Sequence, residues 1–429
     1  MTGDKAFAAQ QLVAAVEAAR VTRNGRQLAE AIAALVSWIR QGSRSRVDDV
    51  HGRWLASQSA FVDLDLSIWN EDKTGIDTLA LALADLDYYR QVDLSVEARI
   101  DVLSQVRALL SPRHYLACAR VDMERAELLS MRNDPAEVAA GLSLCDDALA
   151  SIEQLGDPVE LAHALLARAR ILFNSERVRE SIVEAEKARQ LYAERDATHS
   201  LAHISRFMAE VNVQRSRIPE AAVLAAEAIA GYERVGDSVG KALSLRVRAR
   251  TWQKRGQRPK ALQDCQEAVR LLDIACVKSA QGRVMLLMAE LENDAGRFDE
   301  GQRALEAAVE YLRESPERVA FLFAVVRLAD TLRRRNAVEA AAARLDEAEA
   351  SCVGGETLPR QSNGGALGVM NDRDRLTLSL EICRIAKEMP TPEKPRIRRV
   401  SAVALEIARA LANAEAESFA RSFAAYARA

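Results

Sequence analysis

Between Leu161 and Arg360 the apolar and polar positions recur in the same order five times, forty residues apart, with no insertion. The blocks open LAHALLARARILF, LAHISRFMAEVNV, KALSLRVRARTWQ, QGRVMLLMAELEN and FLFAVVRLADTLR. Each predicts two helices. In the second block Ile204, Phe207, Met208 and Val211 fall at helical spacing, and Pro219 then opens a second helix carrying Ala222, Ala225, Ala226 and Ile229. The turn between them holds Gly256, Gly296 and Asn336 in the third to fifth blocks, residues that accept the left-handed backbone ending a helix. The connection to the next block is also turn-like, with Gly236-Asp237 in one and Ser315-Pro316 in another. Two positions are alanine in all five blocks: Ala169, Ala209, Ala249, Ala289 and Ala329 in the first helix, and Ala188, Ala228, Ala268, Ala308 and Ala348 in the second. A small side chain there lets helix backbones approach closely. A fixed period of this length predicts an all-α solenoid of stacked antiparallel helix hairpins.

The pattern continues beyond the five blocks. Arg125-Ala126-Glu127 and Ala148-Leu149 fit the two helices of one more hairpin, with extra residues around Asn133-Asp134-Pro135. Further upstream the period blurs into helical runs at Ala8–Arg20, Leu28–Arg40, Val47–Trp69, Leu79–Arg90 and Val96–Leu110, read as divergent hairpins. The expected organisation is divergent hairpins over 1–112, the repeat array over 113–353, a glycine-rich loop over 354–371 and C-terminal helices over 372–429. In the last segment Val400, Val403, Ile407, Leu411, Phe419, Phe423 and Tyr426 form an apolar stripe behind Arg396, Arg398 and Arg399. It is read as a cap on the last hairpin or as a helix for homodimerisation. Three of the four tryptophans, Trp38, Trp54 and Trp69, sit in the N-terminal segment, which suggests a partner-binding face there.

Composition narrows the function classes. Lys plus Arg is 59 and Asp plus Glu is 62, a near balance that argues against wholesale wrapping of nucleic acid. The N-terminus lacks a signal-peptide pattern and no apolar run reaches membrane-span length, so a soluble cytoplasmic protein is expected. Cys118, Cys145, Cys265, Cys276, Cys352 and Cys383 form no C-x-x-C pair and read as buried thiols. His199 and His203 share a helix face, but no further ligands for zinc can be assembled around them, and no metal or cofactor is expected. Phosphate-loop, dinucleotide, nucleophile-elbow and zinc-protease motifs are missing, and Gly354–Gly368 lacks the lysine of a phosphate loop, so no catalytic residue is assigned.

The mid-helix alanine, the Gly/Asn turn, the apolar residue after it (Val178, Ile218, Phe298, Val338), the small residue opening the second helix (Ser181, Ala221, Ala261, Gly301, Ala341) and the late alanine together resemble the tetratricopeptide repeat family. The forty-residue period exceeds the family's usual thirty-four, as in longer-repeat variants of bacterial regulators. The resemblance implies a right-handed superhelix whose concave face is lined by the first helix of each pair. On that face it places Arg170, Asn174, His203, Arg206, Glu210, Gln214, Arg246, Arg250, Gln253, Lys254, Arg283, Glu290, Asn293, Asp330 and Arg333. The middle of this stripe reads as cationic, which points to an acidic or carboxylate-ended peptide. Asn174, Gln214 and Asn293 would hold its backbone, and Glu290, Asp294 and Asp330 would set its direction. The function expected is a non-enzymatic scaffold or adaptor binding a peptide or protein segment. The alternative is a ligand-responsive regulatory subunit acting on a separate effector chain.

Overall fold

A computed structural model describes residues 3–42, 64, 66–70, 72–88, 96–131, 135–275, 277–313, 318–353, 372–411 and 413–428. The described residues are helical throughout, with no strand among them. The chain divides into two compact units, Met1–Val277 and Lys278–Ala429.

The first unit begins with α1 (Gly3–Thr22), α2 (Gly25–Gly42), a 3-10 turn (Leu66–Trp69), α3 (Ile76–Tyr88) and α4 (Val96–Leu109). Their core includes Leu28, Ile32, Trp69, Leu79 and Leu103, all fully buried. Trp69 therefore belongs to this core and not to a partner-binding face; its indole Nε1 donates to the Thr74 carbonyl at 3.2 Å. The side chains of Trp38 and Trp54 lie outside the described residues, as does most of the expected Val47–Trp69 run.

The regular array follows as hairpins α5 (Tyr115–Met131) with α6 (Pro135–Leu155), α7 (Pro158–Asn174) with α8 (Val178–Glu194), α9 (Thr198–Gln214) with α10 (Ile218–Val235), and α11 (Ser238–Lys254) with α12 (Arg258–Ile274). The second unit continues with α13 (Lys278–Asn293), α14 (Phe298–Arg313), α15 (Arg318–Arg334), α16 (Val338–Val353), α17 (Asp372–Glu388), α18 (Lys394–Ala410) and α19 (Ala414–Arg428). The glycine-rich Gly354–Gly368 stretch and Ser315-Pro316 lie outside the described residues.

The forty-residue period is written into the backbone. Five residues with positive φ stand forty apart: Glu176 (61°), Ser216 (58°), Gly256 (70°), Gly296 (74°) and Asn336 (61°). One residue later the amide bonds back to the carbonyl five residues earlier, from Arg177 N to Leu172 O, Arg217 N to Asn212 O and Gln257 N to Trp252 O at 2.9 Å. The same bond recurs from Arg297 N to Glu292 O at 3.0 Å and from Ala337 N to Leu332 O at 2.9 Å. This closes the helix end and reverses the chain. Glu176 and Ser216 fill this place with residues that resist a left-handed backbone. Ser216→Gly is therefore expected to raise stability by about 0.5–1 kcal/mol, read as a higher melting temperature. The ten repeated alanines are all buried at 1 % exposure or less, which is the close packing their size permits.

Helix starts follow local signals. Asp157 Oδ1 accepts from Val159 N at 2.8 Å ahead of Pro158, and Asp237 Oδ1 accepts from Gly240 N at 2.8 Å. Cys118, Cys145, Cys265, Cys352 and Cys383 are buried as free thiols; Cys276 is outside the described residues. Burial pushes Cys145 and Cys383 up to about 12, leaving them protonated and inert.

The tail departs from the expected single stripe. It is two helices, broken at Leu411, with Asn413 Oδ1 accepting from Ala416 N at 3.0 Å to start the second. Val400 and Ile407 are buried, and Phe423 and Tyr426 pack on the core of the second unit. Of the stripe offered for capping or dimerisation, Val400 and Ile407 are thus covered by the chain itself, Val403, Leu411, Phe423 and Tyr426 are half-buried, and Phe419 is left outward. Arg396 is buried and bonds Glu349 Oε2 at 2.9 Å, along with Asp346 and Glu393, while Arg399 reaches Glu349 Oε1 at 2.7 Å.

Burial opposes the Glu349 charge, but the hydrogen bonds from Arg399 and Arg396 prevail and hold its carboxyl below the usual glutamate range. A carboxyl lowered by folding contributes stability that is complete above the ordinary glutamate value of about 4.3 and is lost as pH falls through the lowered one. Melting of the wild-type chain should drop as the pH passes below that value. Glu349→Gln should start lower at neutral pH and show a shallower acid decline.

Candidate functional site

The first helix of each hairpin carries the expected groove positions. In the first unit these are α5, α7, α9 and α11, and their facing side chains bond to one another across the stack. Arg170 Nη1 on α7 donates to Glu127 Oε2 on α5 at 3.0 Å, and its Nη2 meets His203 Nε2 on α9. Beside them Asn174 Nδ2 donates to Ser130 Oγ at 2.9 Å. One hairpin further, Glu210 Oε1 accepts from Arg206 Nη1 at 3.3 Å and from Arg246 Nη2 of α11 at 3.0 Å.

Tyr232 of α10 supports this pair from behind. Burial, opposed by the Arg206 charge and reinforced by Asp237, pushes its phenol up to about 12, so it stays protonated beside Arg206. Burial works most strongly against the Arg206 charge, but Glu210 and Tyr232 together outweigh it, so the guanidinium stays cationic. Phe173 and Phe207 meet edge to face at 5.8 Å, an apolar contact in the same wall.

The expectation of an open cationic stripe is revised by these contacts. Arg170 is 5 % exposed and His203 4 %, so both are struts between repeats rather than groove lining. Leu166 and Val326, on the same first helices, are buried. Arg206 and Arg246 are half-buried and share one carboxylate. Toward the C-terminal ends of α9 and α11 the wall opens: Gln214 and Lys254 are exposed, and Arg250 and Gln253 are half-buried.

The remaining expected residues lie in the second unit. Glu290 pairs with Arg327 at 3.2 Å, and Asn293 Nδ2 donates to Thr331 Oγ1 at 2.8 Å, the same kind of strut as Asn174 with Ser130. Asp330 receives Arg333 at 2.8 Å and Arg334 at 3.0 Å, with Arg384 at 3.6 Å; Arg333 also meets Glu388 at 2.9 Å. Burial disfavours the Asp330 charge, yet Arg333, Arg384 and Arg334 hold its carboxyl below the ordinary range. Arg283 is half-buried.

His199 and His203 serve different contacts. His199 Nε2 meets Asp237 Oδ2 at 3.0 Å and the edge of Tyr232, whereas His203 turns to Arg170. Among the described residues no group of three or more His, Cys, Asp or Glu comes together in a way that could hold a metal ion. No described helix is long and apolar enough to cross a membrane.

Sequence reading missed Glu127, Ser130, Tyr232, Thr331 and Arg384 as members of these networks. Glu127 was aligned with the repeat, but the extra residues near Asn133 shift its register, leaving it 43 positions before Arg170.

No protein-family model and no curated protein matches the chain. Solved structures do. A Rap protein complexed with competence and sporulation factor is similar over 93% of this chain and 98% of its own, at 10% identity and a TM-score of 0.53. Aspartyl phosphate phosphatase F from Bacillus subtilis is similar over 90% of this chain and 95% of its own, at 10% identity and a TM-score of 0.51. Likeness at this identity speaks to the fold and not to the chemistry. With the forty-residue hairpins, their left-handed turns and their alanine contacts already in place, the chain is in fold a tetratricopeptide-type helical repeat protein.

Proposed function

We propose that the chain is a non-enzymatic interaction subunit that takes up a protein or peptide segment along the first-helix face of α7, α9 and α11. The observation that carries this reading is the bonded wall itself. Glu127, Arg170 and His203, and then Arg206, Glu210 and Arg246, bond to one another across successive repeats. A surface fixed in advance in this way loses little entropy when a segment lies on it. Gln214 and Gln253 supply amide groups able to pair with a peptide backbone, and Arg250 and Lys254 supply charge for an acidic or carboxylate end. The similar Rap protein was solved with competence and sporulation factor bound, which favours ligand uptake as the use of this fold. The same likeness supports a second reading, a regulatory subunit whose bound ligand acts on a separate effector chain.

A displayed peptide library panned against the intact protein tests the first reading. Enriched peptides should bind the Gln214→Ala, Arg250→Ala, Gln253→Ala triple variant at least about tenfold more weakly, a loss of about 1.4 kcal/mol. Unchanged affinity in a folded variant, or no enrichment at all, would reject the groove. A small molecule retained through native purification, with no peptide enriched, would favour the sensor.

A further inference from the structure

The turn edge of the first unit, where α7, α9 and α11 end and α8, α10 and α12 begin, collects positive charge just beyond the open end of the groove. Arg179 stands on the first of these turns, Arg215 and Arg217 on the second, and Arg255, Arg258 and Lys260 on the third. The turns are neighbours: Arg255 Nη2 reaches back to the Ile218 carbonyl at 3.5 Å. The helices that start here add to the field. The residues at the starts of α8, α10 and α12 (Arg177, Arg217 and Gln257) make no side-chain capping bond, so no capping side chain offsets the positive ends of these three helix dipoles. On the opposite edge Asp157 and Asp237 cap α7 and α11, while α9 starts at Ala197 without a side-chain cap.

At the third turn the charge surrounds an aromatic. Trp252 is half-buried, with Lys260 Nζ 4.8 Å and the Arg255 guanidinium 5.6 Å from its ring, and its Nε1 donates to Asp264 at 3.1 Å. Arg248 braces Asp264 with two bonds of 2.7 and 2.8 Å. A braced tryptophan flanked by cations is the composition of an interface anchor.

We infer that this edge is a second docking surface, separate from the groove, for an acidic polypeptide segment running across three successive turns from Arg179 to Trp252. Hairpins stacked in this way stand about 10 Å apart, and a chain in the polyproline II form advances about 9 Å per three-residue turn, bringing every third side chain to one face. A segment with Asp or Glu at every third position therefore meets one turn after another, with an apolar or aromatic residue over Trp252. A nucleic-acid backbone fits less well. Its phosphates form an unbroken row, whereas Glu180 and Glu220 in the first turns of α8 and α10 interrupt the cations, and Glu180 already holds Arg177 at 2.6 Å.

The test uses the full chain and three probes: an extended synthetic peptide with glutamate at every third position, a shuffled peptide of the same composition with its glutamates in one block, and a DNA duplex. The spaced peptide should bind best, with affinity falling as salt rises. The Arg217→Ser, Arg255→Ser, Lys260→Ser variant, checked for an unchanged helical melt, should bind it at least about tenfold more weakly. Gln214→Ala with Arg250→Ala should leave that affinity unchanged, which separates this surface from the groove. Equal binding of spaced and blocked peptides, tighter binding of the duplex, or full binding by the serine variant would overturn the inference.

Discussion

Arg170→Met is expected to cost the first unit about 3–5 kcal/mol of folding stability. Arg170 and Glu127 are 5 % and 3 % exposed, and the guanidinium bridges Glu127 on α5 to His203 on α9. Methionine keeps much of the volume but leaves the Glu127 carboxylate buried without its cation. The penalty comes from that stranded charge more than from any net strength of the pair. Glu127→Leu combined with Arg170→Met should therefore recover most of the loss, because no charge is then left inside. Urea unfolding of the wild type, both single variants and the double variant measures this. A loss below about 1 kcal/mol for Arg170→Met, the scale of an exposed pair, would show that the bridge is not buried as described.

Gly240→Ala is the second large effect, and its sign is the informative part. In a helix interior alanine is normally better than glycine by about 1 kcal/mol. Here a Cβ on Gly240 would lie 2.4 Å from two ring carbons of Tyr232 and 2.7 Å from a third. Tyr232 is 2 % exposed, so it has little room to swing aside. The variant should lose about 1–3 kcal/mol despite its better propensity. The same push should disturb Arg206 and so the Glu210 bridge. In a Tyr232→Leu background the ring is gone, and Gly240→Ala should cost little or stabilise. Thermal melts of the four proteins of this cycle decide it. A wild-type chain stabilised by Gly240→Ala would contradict the close helix contact.

The repeat was legible because its signals are local and recur. Gly256, Gly296 and Asn336 mark three of the five left-handed turns by residue type, and the alanine columns mark the helix crossings. Glu176 and Ser216 give no such signal alone; only the forty-residue register assigns them the same backbone. The break in the tail carries neither glycine nor proline, and its one cue, Asn413 ahead of α19, was outweighed by an apolar stripe that runs through it.

The candidate site was harder to read for a definite reason. A helix projection shows which face a side chain occupies but not what the neighbouring helix brings to it. The carboxylate that engages Arg246 lies 36 positions earlier, and the one that engages Arg170 lies 43 earlier. Counting arginines along the face therefore overstated its open charge. The basic turn edge escaped notice because its members fall in three separate connections, and only the stacking of hairpins brings them side by side.

Hydrogen exchange on the intact chain, with and without an enriched library peptide, tests the central claim most directly. Binding along the first-helix face should slow exchange together in Arg206–Gln214 and Arg246–Lys254 while leaving α8, α10 and α12 unchanged. Protection confined to α8, α10 and α12, or to the N-terminal helices, would place the bound segment on another surface and contradict the account.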